Sequence, residues 1–115
     1  MEIRHFVTRN GKIVFREWWN KLRDHRAREI ILLNIDRLEM GNTGHCKSLG
    51  HGLYELRIHY GPGYRVYFGY TGMEIILLLC GGNKATQKRD IKRARQYWKY
   101  YRRHVWNSAD LTLNS

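Results

Sequence analysis

The stretch that decides the fold is LYELRIHYGPGYRVYF, residues 53–68, in which apolar and polar side chains alternate on either side of a Gly-Pro-Gly turn. Alternation with a period of two is typical of β-strands that turn one face toward a core. Two alternating runs around a short turn predict an antiparallel hairpin. We expect Tyr60 to pair with Tyr64 across a three-residue turn.

One face of this predicted hairpin is polar. In the expected register His59 lies opposite Arg65, and Arg57 lies opposite Tyr67. Five polar side chains would then share the face: Glu55, Arg57, His59, Arg65 and Tyr67. Two interpretations stay open. Either the face is solvated, with Glu55 paired to an arginine, or it is a site at which an anion joins the two arginines.

The sequence on both sides of the hairpin follows an α+β pattern. Residues 3–8 predict a strand, and apolar side chains at helical spacing then predict a helical hairpin that ends near Gly41 and is followed by a loop over residues 42–52. After the β-hairpin, the apolar run 75–80 suits a buried strand, and Thr86 can cap a last helix. The predicted fold is therefore α+β in the order β-α-α-β-β-β-α. It has an antiparallel sheet with an N-terminal strand and a helical hairpin, a three-strand meander and a C-terminal helix.

The chain of 115 residues is long enough for one domain, which we place at residues 1–106, with a flexible tail over residues 107–115. The sequence shows no secretory segment near Met1 and no apolar run of about 18 residues that could span a membrane. Cys46 and Cys80 are expected to be reduced thiols. These features predict a soluble cytoplasmic protein with no membrane partner.

The chain is strongly basic, with a net charge of +11 and a pI of about 10.1. Such an excess destabilises a compact state through self-repulsion, and it is typical of proteins with a polyanionic partner. At about 100° per residue, five basic residues line one side of the last helix: Lys88, Lys92, Arg95, Lys99 and Arg102. This basic row is either a solvated helix face or a nucleic-acid-binding surface. The lack of an acidic residue in the helix after Asp90 favours the second.

Two further motifs carry weaker hypotheses. Gly81-Gly82-Asn83-Lys84 precedes the last helix, where backbone N–H groups can bind an anion, but it lacks the P-loop pattern. One loop contains His45, Cys46 and His51, with a spacing that matches no zinc motif. We therefore expect neither a metal nor another cofactor. Cys80 is interpreted as a small buried apolar residue.

The hairpin sequence resembles the RelE/ParE toxin superfamily and, within it, the HigB-like, phage-derived addiction-module killer proteins. The resemblance continues before the hairpin through residues 28–44. After the hairpin it includes Gly81-Gly82-Asn83-Lys84, Gln87 and Asp90-Ile91-Lys92-Arg93-Ala94, so that it covers about residues 3–100. The fold that this superfamily implies has the same order of elements.

The resemblance implies the toxin of a type II toxin–antitoxin module. Its partner would be a co-encoded antitoxin, which in HigB-like modules often has a helix-turn-helix domain. HigB-like members cleave mRNA on the ribosome and so inhibit translation, whereas ParE-like members inhibit DNA gyrase without cleaving nucleic acid. A nucleic-acid-binding module without toxicity is the third hypothesis.

The resemblance also implies which residues form the site. Arg57 and Arg65 match basic hairpin residues of the RNA-cleaving members, and Lys84 matches a basic position before the last helix. Glu55 stands where some members have a lysine, and Ile91 stands near the position of a catalytic tyrosine. HigB-like members often have aspartate at the position before the loop lysine, where this chain has asparagine.

If the chain cleaves RNA, the ribose 2′-hydroxyl attacks the adjacent phosphate, and basic side chains stabilise the charge on the phosphoryl group. His59 is the first candidate to take the hydroxyl proton, because imidazole titrates near neutral pH, and Glu55 is the second. No metal is needed for this chemistry. The expected catalytic residues are Arg57, Arg65, Lys84, His59 and Glu55.

Overall fold

A computed structural model describes residues 1–106 of the chain, and the tail expected at residues 107–115 lies outside the described residues. The helices and strands follow in this order: β1 (Glu2–His5), α1 (Val14–Lys21), α2 (His25–Glu39), β2 (Cys46–Gly50), β3 (Leu53–Ile58), β4 (Tyr64–Tyr70), β5 (Ile75–Asn83) and α3 (Gln87–Tyr101). A 3₁₀ turn, Lys84–Thr86, joins β5 to α3, and a π-helical turn, Arg102–Trp106, continues α3. Within the described range, no helix has the length and hydropathy needed to cross a membrane.

The strands form one mixed sheet in the order β1-β5-β4-β3-β2. The predicted α+β class and the predicted order of elements are confirmed, but the sheet is mixed and not antiparallel throughout as predicted, and one strand was not predicted. The first strand pairs in parallel with β5, whereas the other three pairs are antiparallel. The segment 42–52, for which the sequence predicts a loop, contains the edge strand β2. This strand escapes prediction because Lys47 and Ser48 are both exposed, and a register shift between Ser48 and Gly50 breaks the alternation.

Helices cover both faces of the sheet. α1 and α2 pack on one face, where the core includes Phe15, Ile31, Leu38, Leu56, Val66 and Phe68. α3 packs on the other face, where the core includes Phe6, Leu53, Tyr67, Leu79, Ala94 and Trp98. The polar face of the hairpin therefore lies partly under α3. Of the two interpretations left open, the solvated face is wrong for Glu55 and Tyr67, which are buried, but the pairing of Glu55 with an arginine is observed at Arg57.

The hairpin register differs from the expected one by two residues. Ile58 pairs with Tyr64, so that residues 59–63 form a five-residue turn and Arg57 lies opposite Arg65. Tyr60 leaves the strand because its hydroxyl donates a hydrogen bond to Asp24 Oδ2 at 2.9 Å, at the start of α2. A shift by an even number keeps every side chain on its face, so the polar residues still lie together.

Asn83 caps the 3₁₀ turn Lys84–Thr86 that leads into α3. Thr86, which was predicted to cap α3, makes no capping hydrogen bond with its side chain. The Asn83 side chain accepts hydrogen bonds from the backbone N–H groups of Ala85 and Thr86. Thr86 Oγ1 accepts from the Asn83 N–H and donates to the buried carboxylate of Asp90. This capping box explains why an asparagine stands at the junction of β5 and α3.

Glycines let the helices approach the sheet closely. A Cβ on Gly69 would lie 2.2 Å from the Trp98 ring of α3, and a Cβ on Gly81 would lie 2.3 Å from the Trp18 ring of α1. A Cβ on Gly82 would lie 1.8 Å from Asp90 Oδ2. The bare backbone at these positions is thus part of both helix–sheet interfaces.

Replacing Gly69 with alanine should destabilise the fold. The added methyl group would overlap the Trp98 ring, which is itself buried. We expect the free energy of unfolding, measured by urea titration, to fall by about 1–3 kcal/mol. The matched control is Gly44→Ala, whose Cβ would meet only Asn42 Oδ1 at 3.4 Å. Equal stability of the two variants would contradict this packing.

Candidate functional site

Two arginines form a cross-strand pair at the end of the sheet where β5 passes into α3. Arg57 on β3 lies directly opposite Arg65 on β4, and both side chains are half-exposed. Neighbouring like charges repel, so this pair needs compensation from a carboxylate or a bound anion. The compensation inside the protein comes from Glu55, whose Oε1 accepts a hydrogen bond from Arg57 Nε at 2.8 Å.

Glu55 is fully buried and accepts hydrogen bonds from three elements. Besides Arg57 of its own strand, Tyr67 Oη of β4 donates to Glu55 Oε2 at 3.0 Å. Gln87 Nε2, in the first turn of α3, donates to the same oxygen at 2.9 Å. The side chain of Glu55 is 0% exposed, whereas that of Arg57 is 37% exposed. The buried Glu55 carboxylate therefore orients Arg57 from the interior side, while part of the Arg57 side chain remains at the surface.

The surroundings of Glu55 keep its carboxyl group ionised. Burial alone would raise the pKa of Glu55, but the hydrogen bonds from Gln87, Arg57 and Tyr67 and the charge of Arg57 hold this pKa below its ordinary value. Burial and the neighbouring carboxylate in turn raise the pKa of the Tyr67 hydroxyl, which remains a donor. Glu55 thus has no free oxygen with which to take a proton from a substrate. We assign it a positioning role, in place of the catalytic role expected from the sequence.

Arg65 and Lys84 border the same glycine of the hairpin turn. Arg65 Nη1 donates to the Gly63 carbonyl at 2.6 Å. A Cβ on Gly63 would lie 2.9 Å from Arg65 Nη1 and 3.5 Å from Lys84 Cβ. Since Arg57 is the cross-strand neighbour of Arg65, the three cations expected to be catalytic are contiguous.

Arg65 is held less completely than Arg57. Its Nε is buried without a hydrogen-bond partner among the described residues. A buried donor without a partner is costly, and a ligand oxygen could satisfy it. The group formed by Arg57, Arg65 and Lys84 is called the cationic cluster below.

His59 lies in the hairpin turn beyond the end of β3, and its ring is exposed. Its ring centroid is 5.5 Å from that of His45, which immediately precedes β2. The two histidines, Lys47 and Arg57 line a cavity of about 220 Å³. From the sequence, His45 was considered only as a metal ligand, because β2, which brings it beside the hairpin, was not predicted. Gln87 belongs to the stretch that carries the family resemblance, but its contact with Glu55 was not predicted.

The cysteines do not take part in the cationic cluster. Burial raises the pKa of Cys46 to about 11 and that of Cys80 to about 12. Both are free thiols in the structure, and Cys80 is buried. Among residues 1–106, no three His, Cys, Asp or Glu side chains come close enough together to share a metal ion.

The basic row lies along α3 and its π-helical continuation, on the side of the helix that faces β2. All five of its side chains are exposed: Lys88, Lys92, Arg95, Lys99 and Arg102. Arg95 Nη1 donates to the Leu49 carbonyl of β2 at 3.0 Å. A cavity of about 320 Å³ separates the C-terminal half of the row from the turn between β2 and β3. The row begins one residue after Gln87, so it extends away from the cationic cluster along the helix.

Comparisons with known proteins identify a family for most of the chain. Residues 17–99 match the model of a family described as phage derived protein Gp49-like (DUF891). A protein of Haemophilus influenzae (strain Rd), described as an uncharacterized protein, is 46% identical over 83 residues, which are 72% of this chain and 84% of the relative. The matched range of the family model includes the whole cationic cluster, Glu55 and Gln87.

Glu55→Gln should destabilise the protein in a pH-dependent manner. The variant loses the ionised acceptor of three hydrogen bonds, so we expect its free energy of unfolding at pH 7 to be lower by about 1.5–3 kcal/mol. Because the pKa of Glu55 is lowered by folding, its contribution is complete above the ordinary value of 4.5 and is lost as the pH falls through the folded value. The stability difference between wild type and variant should therefore shrink in acid.

The control for this measurement is Glu2→Gln. Glu2 pairs with Arg4 at 2.9 Å, but both side chains are more than half exposed. An exposed pair of this kind contributes little. A Glu55→Gln protein that matches the Glu2→Gln protein in stability at pH 7 would refute the anchoring role of Glu55.

Proposed function

Because the chain belongs to the RelE-like family of phage-derived Gp49-like proteins, we propose that it is the toxin of a type II toxin–antitoxin module. It inhibits translation by cleaving mRNA in the ribosomal A site. The observation that carries this proposal is the cationic cluster, in which Arg57 and Arg65 lie side by side above the ionised, buried Glu55. A guanidinium group can hold phosphate oxygens through parallel N–H donors, and two neighbouring arginines place two such groups at one site.

The chemistry is a transesterification, in which the 5′-oxygen leaves as the 2′-oxygen bonds, and the leaving 5′-oxygen takes up a proton. The ribose 2′-oxygen bonds to the adjacent phosphorus, and the bond from phosphorus to the 5′-oxygen breaks. Negative charge builds on the phosphoryl oxygens, where Arg57, Arg65 and Lys84 stabilise it. His59, exposed beside Arg57, takes the proton of the 2′-hydroxyl. Since the nucleophile belongs to the RNA, the step does not require a metal-bound water.

The ribosome supplies the position of the substrate. Holding the 2′-hydroxyl in line with the leaving oxygen can account for a large part of such a rate, because the entropy of alignment is lost on binding. The exposed basic row of α3 binds ribosomal RNA and so holds the cluster over the A-site codon.

The second partner is a co-encoded antitoxin. A chain with a net charge of +11 associates fastest with a partner whose contacting segment carries carboxylates. An antitoxin of this kind with a helix-turn-helix domain would bring the complex to DNA, whereas the toxin itself acts in the cytoplasm.

Arg65→Ala should abolish toxicity without unfolding the protein. Arg57→Ala should abolish toxicity and also lower stability, because buried Glu55 loses its charged partner. Removal of one transition-state donor lowers such rates on the order of 10²–10³-fold. The measurements are growth after induced expression, and cleavage of a defined mRNA by purified protein with and without ribosomes. Arg37→Ala, on the exposed face of α2, is the matched control and should remain toxic.

Two outcomes would contradict this function. Full toxicity of a folded Arg65→Ala protein would show that the cationic cluster is not the site. Inhibition of gyrase supercoiling by the wild-type protein, with intact mRNA, would replace RNA cleavage with a ParE-like activity.

Neutralising the basic row should weaken binding to ribosomes without removing the chemistry. The variant is the triple substitution Lys88→Gln, Lys92→Gln, Lys99→Gln, and we expect it to bind ribosomes with lower affinity. The slope of log affinity against log salt concentration should become shallower by about 0.7 for each phosphate that the protein no longer neutralises. The control is the triple variant Arg23→Gln, Arg26→Gln, Arg37→Gln, which removes the same charge from exposed positions before and on α2. Equal affinities and equal salt slopes for the two triple variants would contradict a specific role of the row.

A further inference from the structure

Two imidazoles meet beside Arg57. The rings of His45 and His59 are 5.5 Å apart at an interplanar angle of 74°, and both side chains are exposed. They line the same cavity of about 220 Å³ as Arg57 and Lys47. The cavity is large enough to admit water and the oxygens of a phosphodiester group.

The backbone fixes the placement of both histidines around Arg57. The Arg57 N–H donates to the His45 carbonyl at 3.0 Å, which extends the pairing of β2 and β3 by one residue and sets His45 across from Arg57. His59 follows Arg57 by two residues, at the end of the strand. Arg65 lies across from Arg57 on the opposite side from His45. A phosphate at the paired arginines would therefore be within the reach of two separate imidazoles.

We propose that His45 and His59 together form the acid–base pair of the cleavage reaction, an inference that rests on the function proposed above. One imidazole, neutral, takes the proton of the 2′-hydroxyl as the 2′-oxygen bonds to phosphorus. The other, protonated, gives a proton to the 5′-oxygen as its bond to phosphorus breaks. The products are a 2′,3′-cyclic phosphate and a 5′-hydroxyl, and the two histidines have exchanged protonation states.

The pair predicts a bell-shaped dependence of the cleavage rate on pH, because one ring must be neutral and the other charged. The charged groups that face the pair are Lys47 of β2 and Arg57 of β3, with Glu55 and Arg65 on the far side of Arg57. Lysine and arginine keep their charge between about pH 5 and 9. The Cys46 thiol, which also lines the cavity, has a pKa raised to about 11 and stays protonated there. In this proposal the two limbs of the bell report the acid and the base of the pair.

The test is single-turnover cleavage of mRNA on programmed ribosomes, followed from about pH 5 to 9. His45→Asn and His59→Asn should each lower the rate on the order of 10²–10⁴-fold, and each should remove one limb of the pH profile. The matched control is His25→Asn at the exposed start of α2, which should keep the wild-type rate and both limbs. Circular dichroism and ribosome binding show that the variants fold and bind.

A modified substrate separates the acid from the base. If sulfur replaces the 5′-oxygen of the scissile bond, the leaving group departs without a proton. This substrate should restore the rate of the variant that lacks the acid and leave the other variant slow. A wild-type rate and both limbs in a His45→Asn protein that binds ribosomes would overturn the pair while leaving RNA cleavage in place. Absence of cleavage by the wild-type protein would overturn the proposed function and the pair together.

Discussion

The buried carboxylate of Glu55 is the constraint on which the rest of the site depends. It accepts hydrogen bonds from Arg57, Tyr67 and Gln87, which belong to β3, β4 and α3. A buried charge is tolerated only when its hydrogen bonds are complete, so these three elements can take few other relative positions. The same contact orients Arg57 and offsets part of its repulsion from Arg65. The hydrogen bonds of Glu55 therefore both anchor α3 and arrange the cationic cluster.

A second buried carboxylate, Asp90 of α3 itself, also fixes the start of this helix. Asp90 lies against the bare backbone of Gly82 and accepts a hydrogen bond from Thr86, which is itself tied to Asn83. Arg89 and Arg93 approach Asp90 from the surface at 3.5 and 3.9 Å. Two buried acids, Glu55 and Asp90, thus lie at the first turns of a helix that carries a long row of basic residues on its exposed flank. The positive charge of the basic row would destabilise a small domain by self-repulsion, and its position at the surface leaves it accessible to an external polyanion.

The sequence was sufficient for the hairpin and for every element except β2, and it placed Arg57 and Arg65 on one face of the hairpin, since period-two alternation and turn glycines depend on local structure alone. It failed where distant residues decided the outcome. Tyr60 does not pair in the predicted register, and its hydroxyl instead donates a hydrogen bond to Asp24, 36 residues earlier in the chain. The burial of Glu55 could not be predicted, because nothing in its own strand reveals that α3 covers it. The place of His45 beside the hairpin was missed, because the short edge strand β2, which follows it, forms only by pairing with β3.

The central claim is that the cationic cluster holds a phosphodiester group of mRNA. The most direct measurement is a cryo-electron microscopy structure of the protein on a programmed ribosome, with an A-site codon made uncleavable by 2′-O-methylation. We predict that one codon phosphate lies at Arg57 and Arg65, with His45 and His59 beside it in the cavity next to Arg57 and the basic row of α3 against ribosomal RNA. A complex in which the protein binds elsewhere, or turns the cluster away from the codon, would contradict the account.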